Sequence, residues 1–435
     1  MRWNSLVTPE TGTIQIHAPG QIPPSRRIPP VIKRVFKAFQ YRDFRLMWIG
    51  ACTSSIGTWM QNMAQAMLIL SISNNSAFLL GLDAFLGGIP IFLFSLVGGV
   101  VADRMDRRKV LLGSQFVQMG CALLLTLLIA LHMVRVWHVL SISFISGLAQ
   151  AFGGPAYQAL IPTLVDKEDM PNAIALQSIQ FNVARVIGPV VGGFAMTYLG
   201  SVWCFGLNGL SFLAPVISLF LVKPRFYPQK STDSILAGIK QGISFVRRQS
   251  AMEALMVLAF CMTLLGVPMM TFLPFYAKKV IFSNLRPELV LTLFLSASGV
   301  GSIIGSLTLA WLGNMKHKGR AALIALVCLG VTIAGFALSK SVWLSCLMLF
   351  LGGGALIAVF ALVNSLVQLI TTNEMRGRVM SVYNVAFRGG MPMGNLLAGR
   401  LVESFTAPVV LAVNGVVLIG VALYFLMVHR RVATL

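Results

Sequence analysis

The chain has 435 residues, of which 57% are apolar and only 11% charged, whereas a soluble domain carries about a quarter charged residues. That balance excludes a soluble globular protein and a disordered one, and the lack of period-two alternation excludes an outer-membrane barrel. Lysine and arginine outnumber the acids 34 to 13, a formal net charge of +21; they sit in short loops between apolar runs, with no basic stripe interleaved with aromatics, so they read as facing anionic lipid rather than nucleic acid.

Residues 1–43 form a basic tail with Pro19, Pro23, Pro24, Pro29 and Pro30. No small-residue cleavage site follows a short apolar stretch there, so the first span is expected to stay as an uncleaved anchor. At about 20 apolar residues per span, the apolar runs predict twelve helices, at 45–70, 78–102, 110–131, 137–160, 173–199, 202–222, 253–276, 287–312, 320–339, 342–369, 378–403 and 408–429. The longest break, 223–252, carries Lys223, Arg225, Lys230, Lys240, Arg247 and Arg248, while Ile235, Ile239, Ile243 and Val246 recur at helical spacing. It reads as a cytosolic linker holding an interfacial amphipathic helix. The expected fold is therefore an all-α membrane protein: twelve transmembrane helices in two six-helix bundles, 44–222 and 253–429, with a short tail at 430–435. With the N-terminus inside, 26 basic residues fall in cytosolic segments and 5 in outer loops, which puts both termini in the cytosol.

The halves also repeat. Helix 5 reads Arg185-Val-Ile-Gly-Pro189 and helix 11 reads Arg388-Gly-Gly-Met-Pro392, and each follows a polar loop containing acids, Asp166-Lys-Glu-Asp169 and Asn373-Glu374. Duplicated bundles are how many secondary transporters are built. The six cysteines (Cys52, Cys121, Cys204, Cys261, Cys328, Cys346) lie in apolar runs without C-x-x-C spacing, so they read as buried thiols. His17, His132, His138, His317 and His429 are scattered and none is deep in a span. With neither a nucleotide-binding glycine loop nor a metal-ligand spacing, no enzyme, metal or cofactor is expected.

Gly99-Val-Val-Ala-Asp103-Arg104-Met-Asp106-Arg107-Arg108-Lys109, at the inner end of helix 2, resembles the loop 2–3 signature of the major facilitator superfamily. Gly188-Pro189-Val-Val-Gly192-Gly193 in helix 5 is similar to that superfamily's antiporter motif. Ile56-Gly-Thr-Trp-Met-Gln61, Arg376-Gly-Arg-Val-Met380 and Phe387-Arg-Gly-Gly-Met-Pro392 resemble the bacterial exporters that include enterobactin and macrolide efflux proteins. The match runs over about residues 41–430. It implies a monomeric secondary transporter of the bacterial cytoplasmic (inner) membrane that exports a small amphiphilic organic molecule by alternating access, in exchange for protons. A lipid or lysophospholipid flippase, or an importer, is the rival on the same fold. Two features depart from the pattern: helix 4 has no mid-membrane arginine, and the second-half copy of the loop signature, Gly305-Ser-Leu-Thr-Leu309 to Arg320, lacks its acid.

The resemblance implies that Asp103 faces the N-terminus of helix 11, with Arg376 and Arg378 beside it, as a latch that breaks on rocking. The glycines of the antiporter-type motif let helices approach closely, and Pro189 bends helix 5. Helix 1 carries Ser54, Thr58, Gln61, Asn62 and Gln65 on one face, helix 4 carries Ser143, Ser146, Gln150 and Tyr157, and helix 10 carries Asn364, Ser365 and Gln368. Such faces meet either each other or water, and by the family pattern helices 1, 4, 7 and 10 line the cavity. Met262, Met269, Met270, Phe272 and Tyr276 of helix 7 would add a pliable apolar wall, although ordinary packing gives the same stripe. Asp83, Arg185 and Arg388 lie deep in spans and are functional candidates; Asp83 is expected to pair with Arg388 across helices 2 and 11, its protonation then serving as a coupling step. Two buried cations against one acid point to a cavity that favours anionic or electron-rich amphiphiles. Arg400 and Glu403 read as a local surface pair.

Overall fold

Backbone polar groups find no partners in hydrocarbon, so an apolar run of this length satisfies them within itself, as a helix. The computed structural model describes residues 36–222, 235–313, 315–372, 374–428 and 431–434. The expected N-terminal tail lies outside the described residues as far as position 35, as do linker positions 223–234 and, of the C-terminal tail, 430 and 435.

The first half runs through α1 (Arg42–Ile72), α2 (Ala77–Arg104), α3 (Arg107–Ala130), α4 (Val136–Leu160), α5 (Met170–Tyr198) and α6, which is broken into Ser201–Ser211 and Leu213–Leu221. The second half runs through α7 (Ser250–Val280), α8 (Pro287–Leu312), α9 (Lys318–Leu338), α10 (Val342–Ile370), α11 (Arg376–Ser404) and α12 (Ala407–Val428). Polar caps fix two of the starts: Ser76 Oγ accepts from the Leu79 N–H at 3.2 Å ahead of α2, and Asp106 accepts from the Arg108 N–H at 3.0 Å ahead of α3.

By length and composition, ten helical stretches among the described residues can cross a membrane. The other two long helices, α1 and α11, have 31 and 29 residues. They differ in being polar: α1 carries Thr58, Gln61, Asn62 and Gln65, and α11 carries Arg388, Asn395 and Arg400.

Two expected helices are not regular. Pro215 has no N–H to offer the Ser211 carbonyl, and α6 breaks at Phe212. In α7, Pro268 and Pro274 do the same, and the chain passes through wide turns at Met262–Gly266 and Tyr276–Val280 with two short helical pieces between. Each wide turn rotates the side chains that follow it. The linker helix, Ile235–Arg248, packs against α11, where a Cβ on Gly242 would stand 2.6 Å from the Arg378 carbonyl oxygen. All six thiols are free, and Cys328 is exposed rather than buried.

The two halves pair their helices in the same order: α1 with α5, α2 with α4 and α3 with α6, then α7 with α11, α8 with α10 and α9 with α12. Between the halves run two antiparallel seams, α2 against α11 and α5 against α8. Glycine allows the approach on the first. A Cβ on Gly399 would stand 3.2 Å from the Gly81 Cα, one on Gly88 3.3 Å from Pro392, and one on Gly389 2.8 Å from the Phe92 ring. On the second, Gly193 faces Thr292, and a Cβ on Gly299 would stand 2.7 Å from Val186. Gly188 instead presses inside the first half, where a Cβ would lie 2.5 Å from Trp59 and 2.8 Å from the Ile56 carbonyl oxygen of α1; Gly192 faces Met60.

Both seams lie toward the end opposite the basic loops, here called the far end. Three polar ties close that end: Glu403 accepts from Ser76 Oγ at 2.6 Å and the Phe78 N–H at 3.3 Å, Lys278 donates to Ser71 at 3.3 Å, and Arg286 donates to the Thr197 carbonyl at 2.9 Å. Toward the basic end the faces part. Gly99 on α2 and Gly377 on α11 continue the same stripes, and a Cβ on either would meet nothing within 4 Å. These two environments separate the effects of substitution. Gly188→Leu overpacks a filled interface, at a cost of about 1–3 kcal/mol, and lowers the thermal unfolding midpoint of the purified protein in detergent, while Gly377→Ala leaves it unchanged. Equal midpoints for both variants would contradict this packing.

Candidate functional site

A cleft opens between the halves at the basic end. In the second half at that end, a recess of about 520 Å³ is lined by Phe360, Ala361, Asn364, Ser365, Gln368 and Leu369 of α10 and by Arg376 of α11. Gln368 Nε2 donates to Asn364 Oδ1 at 2.6 Å. Behind this amide pair the Phe360 and Phe387 ring centres lie 4.9 Å apart and those of Phe387 and Tyr383 6.1 Å. An amide rim on an aromatic wall suits an amphiphile.

The α1 face divides. Ser54 is buried and accepts Thr58 Oγ1 on its carbonyl at 2.9 Å. Asn62 is exposed. Gln61 does not join this open face: Gly57 leaves room for α6, and Asn208 Nδ2 donates to Gln61 Oε1 at 2.6 Å. On α4, Gln150 is exposed and Tyr157 half-buried. Met269 is fully buried with Met262, Phe272 and Tyr276 in an apolar core that also holds Met60, Met63 and Met67 of α1. These four residues of the expected wall are packing, while Met270 is half-buried and accepts from Ser298 Oγ at 3.5 Å.

Asp83 does not pair with Arg388. Gln65 Nε2 donates to both its oxygens, at 3.0 and 3.1 Å, and Ser143 Oγ lies 2.5 Å from Oδ1. Gln65 also reaches Ser143 Oγ at 2.9 Å, and Ser143 Oγ lies 3.0 Å from the Val139 carbonyl. The carboxylate thus sits among α1, α2 and α4, inside one half. The serine hydroxyl has two acceptors in reach: it donates to an ionised Asp83, or turns to Val139 and accepts from a protonated one. Both charge states find partners.

The arginines sit elsewhere. Arg388 is exposed on α11, on the stripe of Pro392 and Asn395 that meets α2. Arg185 is half-buried on α5, and its guanidinium reaches Ser298 Oγ of α8 at 3.5 Å.

The loop 2–3 signature is only partly in its expected place. Asp103 is exposed, and its ion-pair partner is Arg107, one turn away at 3.8 Å, rather than α11. Arg107 also donates to the Ala159 carbonyl at 2.8 Å, and Arg108 to the Phe220 carbonyl at 3.0 Å while lying over the Phe220 ring. These two arginines hold the carbonyl ends of α4 and α6, a favourable place for cations. Arg104 is exposed. Asp103 misses α11 because the two helices have separated at this end.

Two acids carry more than their sequence setting indicated. Glu403 does meet Arg400, at 3.7 Å, but it also caps α2 across the halves. Asp169 is buried and receives Lys37 at 2.7 Å, Gln40 at 2.9 Å and Tyr41 at 2.9 Å, strapping the turn before α1 to the start of α5. The Asp169 carboxylate raises the Lys37 ammonium above the usual lysine value. A signal for both was present, since each acid stands at a helix end, but partners so distant in the chain leave no local pattern.

A family model described as "transmembrane secretion effector" matches residues 34–434. The multidrug efflux pump Tap of Mycolicibacterium fortuitum is 24% identical over 82% of this chain and 89% of its own. Macrolide efflux protein A of Streptococcus pyogenes is 22% identical over 89% and 96%, and the enterobactin exporter EntS of Escherichia coli O127:H6 is 26% identical over 89% and 92%. Among solved structures, the nucleoside transporter NupG superposes with a TM-score of 0.69 at 14% identity, covering 88% of this chain and 98% of its own. An auto-inhibited POT family peptide transporter gives 0.71 at 14%, covering 90% and 97%. The structural likenesses speak for the fold alone; with the family match and the export relatives, they place the chain in the transmembrane secretion effector family of the major facilitator superfamily, a family of efflux transporters and not of enzymes.

Proposed function

We propose that this transporter crosses the bacterial cytoplasmic membrane twelve times with both termini in the cytosol, and that it exports a small amphiphilic organic molecule in exchange for protons. The helices α1 and α11 complete the count of twelve: each has the length to span, and a wet cleft between the halves makes their polar faces tolerable. The bias of basic residues makes the basic end cytosolic. The bundles 44–222 and 253–429 rock against one another as units, joined by the linker 223–252, and one monomer suffices.

The observation that carries this reading is the α2/α11 seam, closed at the far end and parted at the basic end. It fits an inward-open carrier waiting for cargo. Continued residue for residue toward the cytosol, the pairing of Gly88 with Pro392 and Phe92 with Gly389 brings Asp103 opposite Gly377 and Arg378. Met375, at the α11 N-terminus, makes no side-chain cap, so the first N–H groups of the helix and Arg376 and Arg378 would receive that carboxylate when the cytosolic side closes. Gly99 lets the helices meet there, Arg107 and Arg108 hold the loop, and Arg104 faces lipid headgroups. Gly188, Pro189, Gly192 and Gly193 form the bend and the close contacts about which α5 moves. Thr58, Asn62, Gln150, Tyr157, Asn364 and Gln368 are the cleft groups that meet cargo, and Asp83, held by Gln65 and Ser143, carries the proton.

Inverted vesicles energised with an acid interior test the export reading directly. With erythromycin or enterobactin as probes, added substrate accumulates in the lumen and protons leave it; a chain that does neither with any amphiphile tried is not a proton-coupled exporter. Asp83→Asn retains substrate counterflow and loses proton release, whereas proton release at the wild-type rate would remove Asp83 from coupling. Asp103→Asn slows transport about tenfold, the effect of roughly 1.4 kcal/mol, with inserted protein unchanged. In a background without native cysteines, Asp103→Cys and Gly377→Cys cross-link poorly in the inward-open state and well once the cytosolic side closes.

A further inference from the structure

Two guanidinium groups occupy corresponding places in the two halves. Arg388 lies one turn inward of Pro392, which faces Gly88 of α2, and its neighbour Gly389 meets Phe92. Arg185 lies one turn inward of Pro189, whose carbonyl accepts from Thr292 of α8 at 3.4 Å, and its neighbour Val186 meets Gly299. Each arginine therefore stands where its seam ends and the cleft begins.

Neither has an acid beside it. Among the described residues the ion pairs are Lys37 with Asp169, Arg107 with Asp103 and Arg400 with Glu403. Asp83, the acid deep in the spans, is held by Gln65 and Ser143 on the far side of α2 from the seam. Arg185 has one long contact to a neutral hydroxyl, and Arg388 is exposed. An arginine cannot shed its proton, and a bare charge at this depth is costly. Each seam thus ends at a fixed positive charge that no described acid neutralises, and Phe387, the chain neighbour of Arg388, meets Phe360 of the recess.

We propose that the cleft takes amphiphilic organic anions, with a carboxylate or phenolate held by Arg388 or Arg185 and an apolar body against Phe360 and Phe387. This deepens the export reading and rests on it for direction, but the recognition itself is a matter of binding at equilibrium. The planar guanidinium holds such groups by paired, charge-assisted hydrogen bonds.

The test uses the full chain in lipid nanodiscs and two fluorescent probes with one dye and one chain length, dansylaminohexanoate and its trimethylammonium counterpart. Fluorescence anisotropy is expected to show the carboxylate bound about tenfold more tightly than the cation, a difference of roughly 1.4 kcal/mol. Arg388→Gln and Arg185→Gln each reduce that preference severalfold, while Arg388→Lys and Arg185→Lys, which keep the charge and report on folding, retain most of it. Equal binding of the two probes, tighter binding of the cation, or full anion preference in both glutamine variants would overturn the proposal. Inverted vesicles separate the two readings: anion binding without gradient-driven uptake defeats export and leaves this site standing, whereas uptake of the cation alone defeats the site and leaves export standing.

Discussion

The antiparallel contact of α2 with α11 is the constraint from which the rest of the arrangement follows. It depends on absent side chains: Gly81 against Gly399, Gly88 against Pro392, and Gly389 against Phe92. Packing between small residues has no hydrophobic drive in lipid, where the surroundings are as apolar as the interface, so it holds through shape and through polar ties. The Glu403 cap on α2 and the Lys278 and Arg286 bonds provide those ties at the far end. A seam fastened at one end and smooth along its length can open by tilting. Its register also decides what meets at the other end on closing, which is why Asp103 can miss α11 here and still be aligned with it.

Much of the fold was legible because hydrocarbon leaves the backbone so few choices. Helix positions, the repeat around Arg185 and Arg388, and the loop 2–3 signature all follow from local runs of residues. Failures came where side chains answer to partners far along the chain. The α7 stripe from Met262 to Tyr276 assumed one helical period throughout, and the wide turn at Met262–Gly266 and the breaks at Pro268 and Pro274 reset it. Gln61 has the angle of the open α1 face, but the missing side chain of Gly57 lets Asn208 claim it. Glu403 and Asp169 looked like loop and surface acids; their partners lie across the fold, at Ser76 and at Lys37, Gln40 and Tyr41.

The polarity of α1 and α11 has a related cause. Each lies at a border between lipid, neighbouring helices and the cleft, and each contributes groups to more than one of them. On α1, Gln65 serves Asp83, Gln61 serves α6, and Asn62 remains open. On α11, glycines and Pro392 pack against α2 and α7 while Arg388 stays exposed. Averaged around their circumference these two helices are less apolar than the other ten, and the faces that lower the average are the ones that carry the polar chemistry.

The separation of Asp83 from Arg388 bears on the proton exchange proposed above. A guanidinium in contact with a carboxylate holds it ionised, and such a pair would give up its proton site in return for a static bridge. Here the carboxylate has only neutral donors, and Ser143 can serve it in either charge state by turning between Asp83 and Val139. In the proposed exchange the charge that varies is thus kept inside one half, while the charges that cannot vary stand at the mouths of the two seams. In that proposed exchange, proton and cargo then need not compete for one contact. On that proposal they would communicate through α2, whose one side holds Asp83 and whose other side forms the seam with α11.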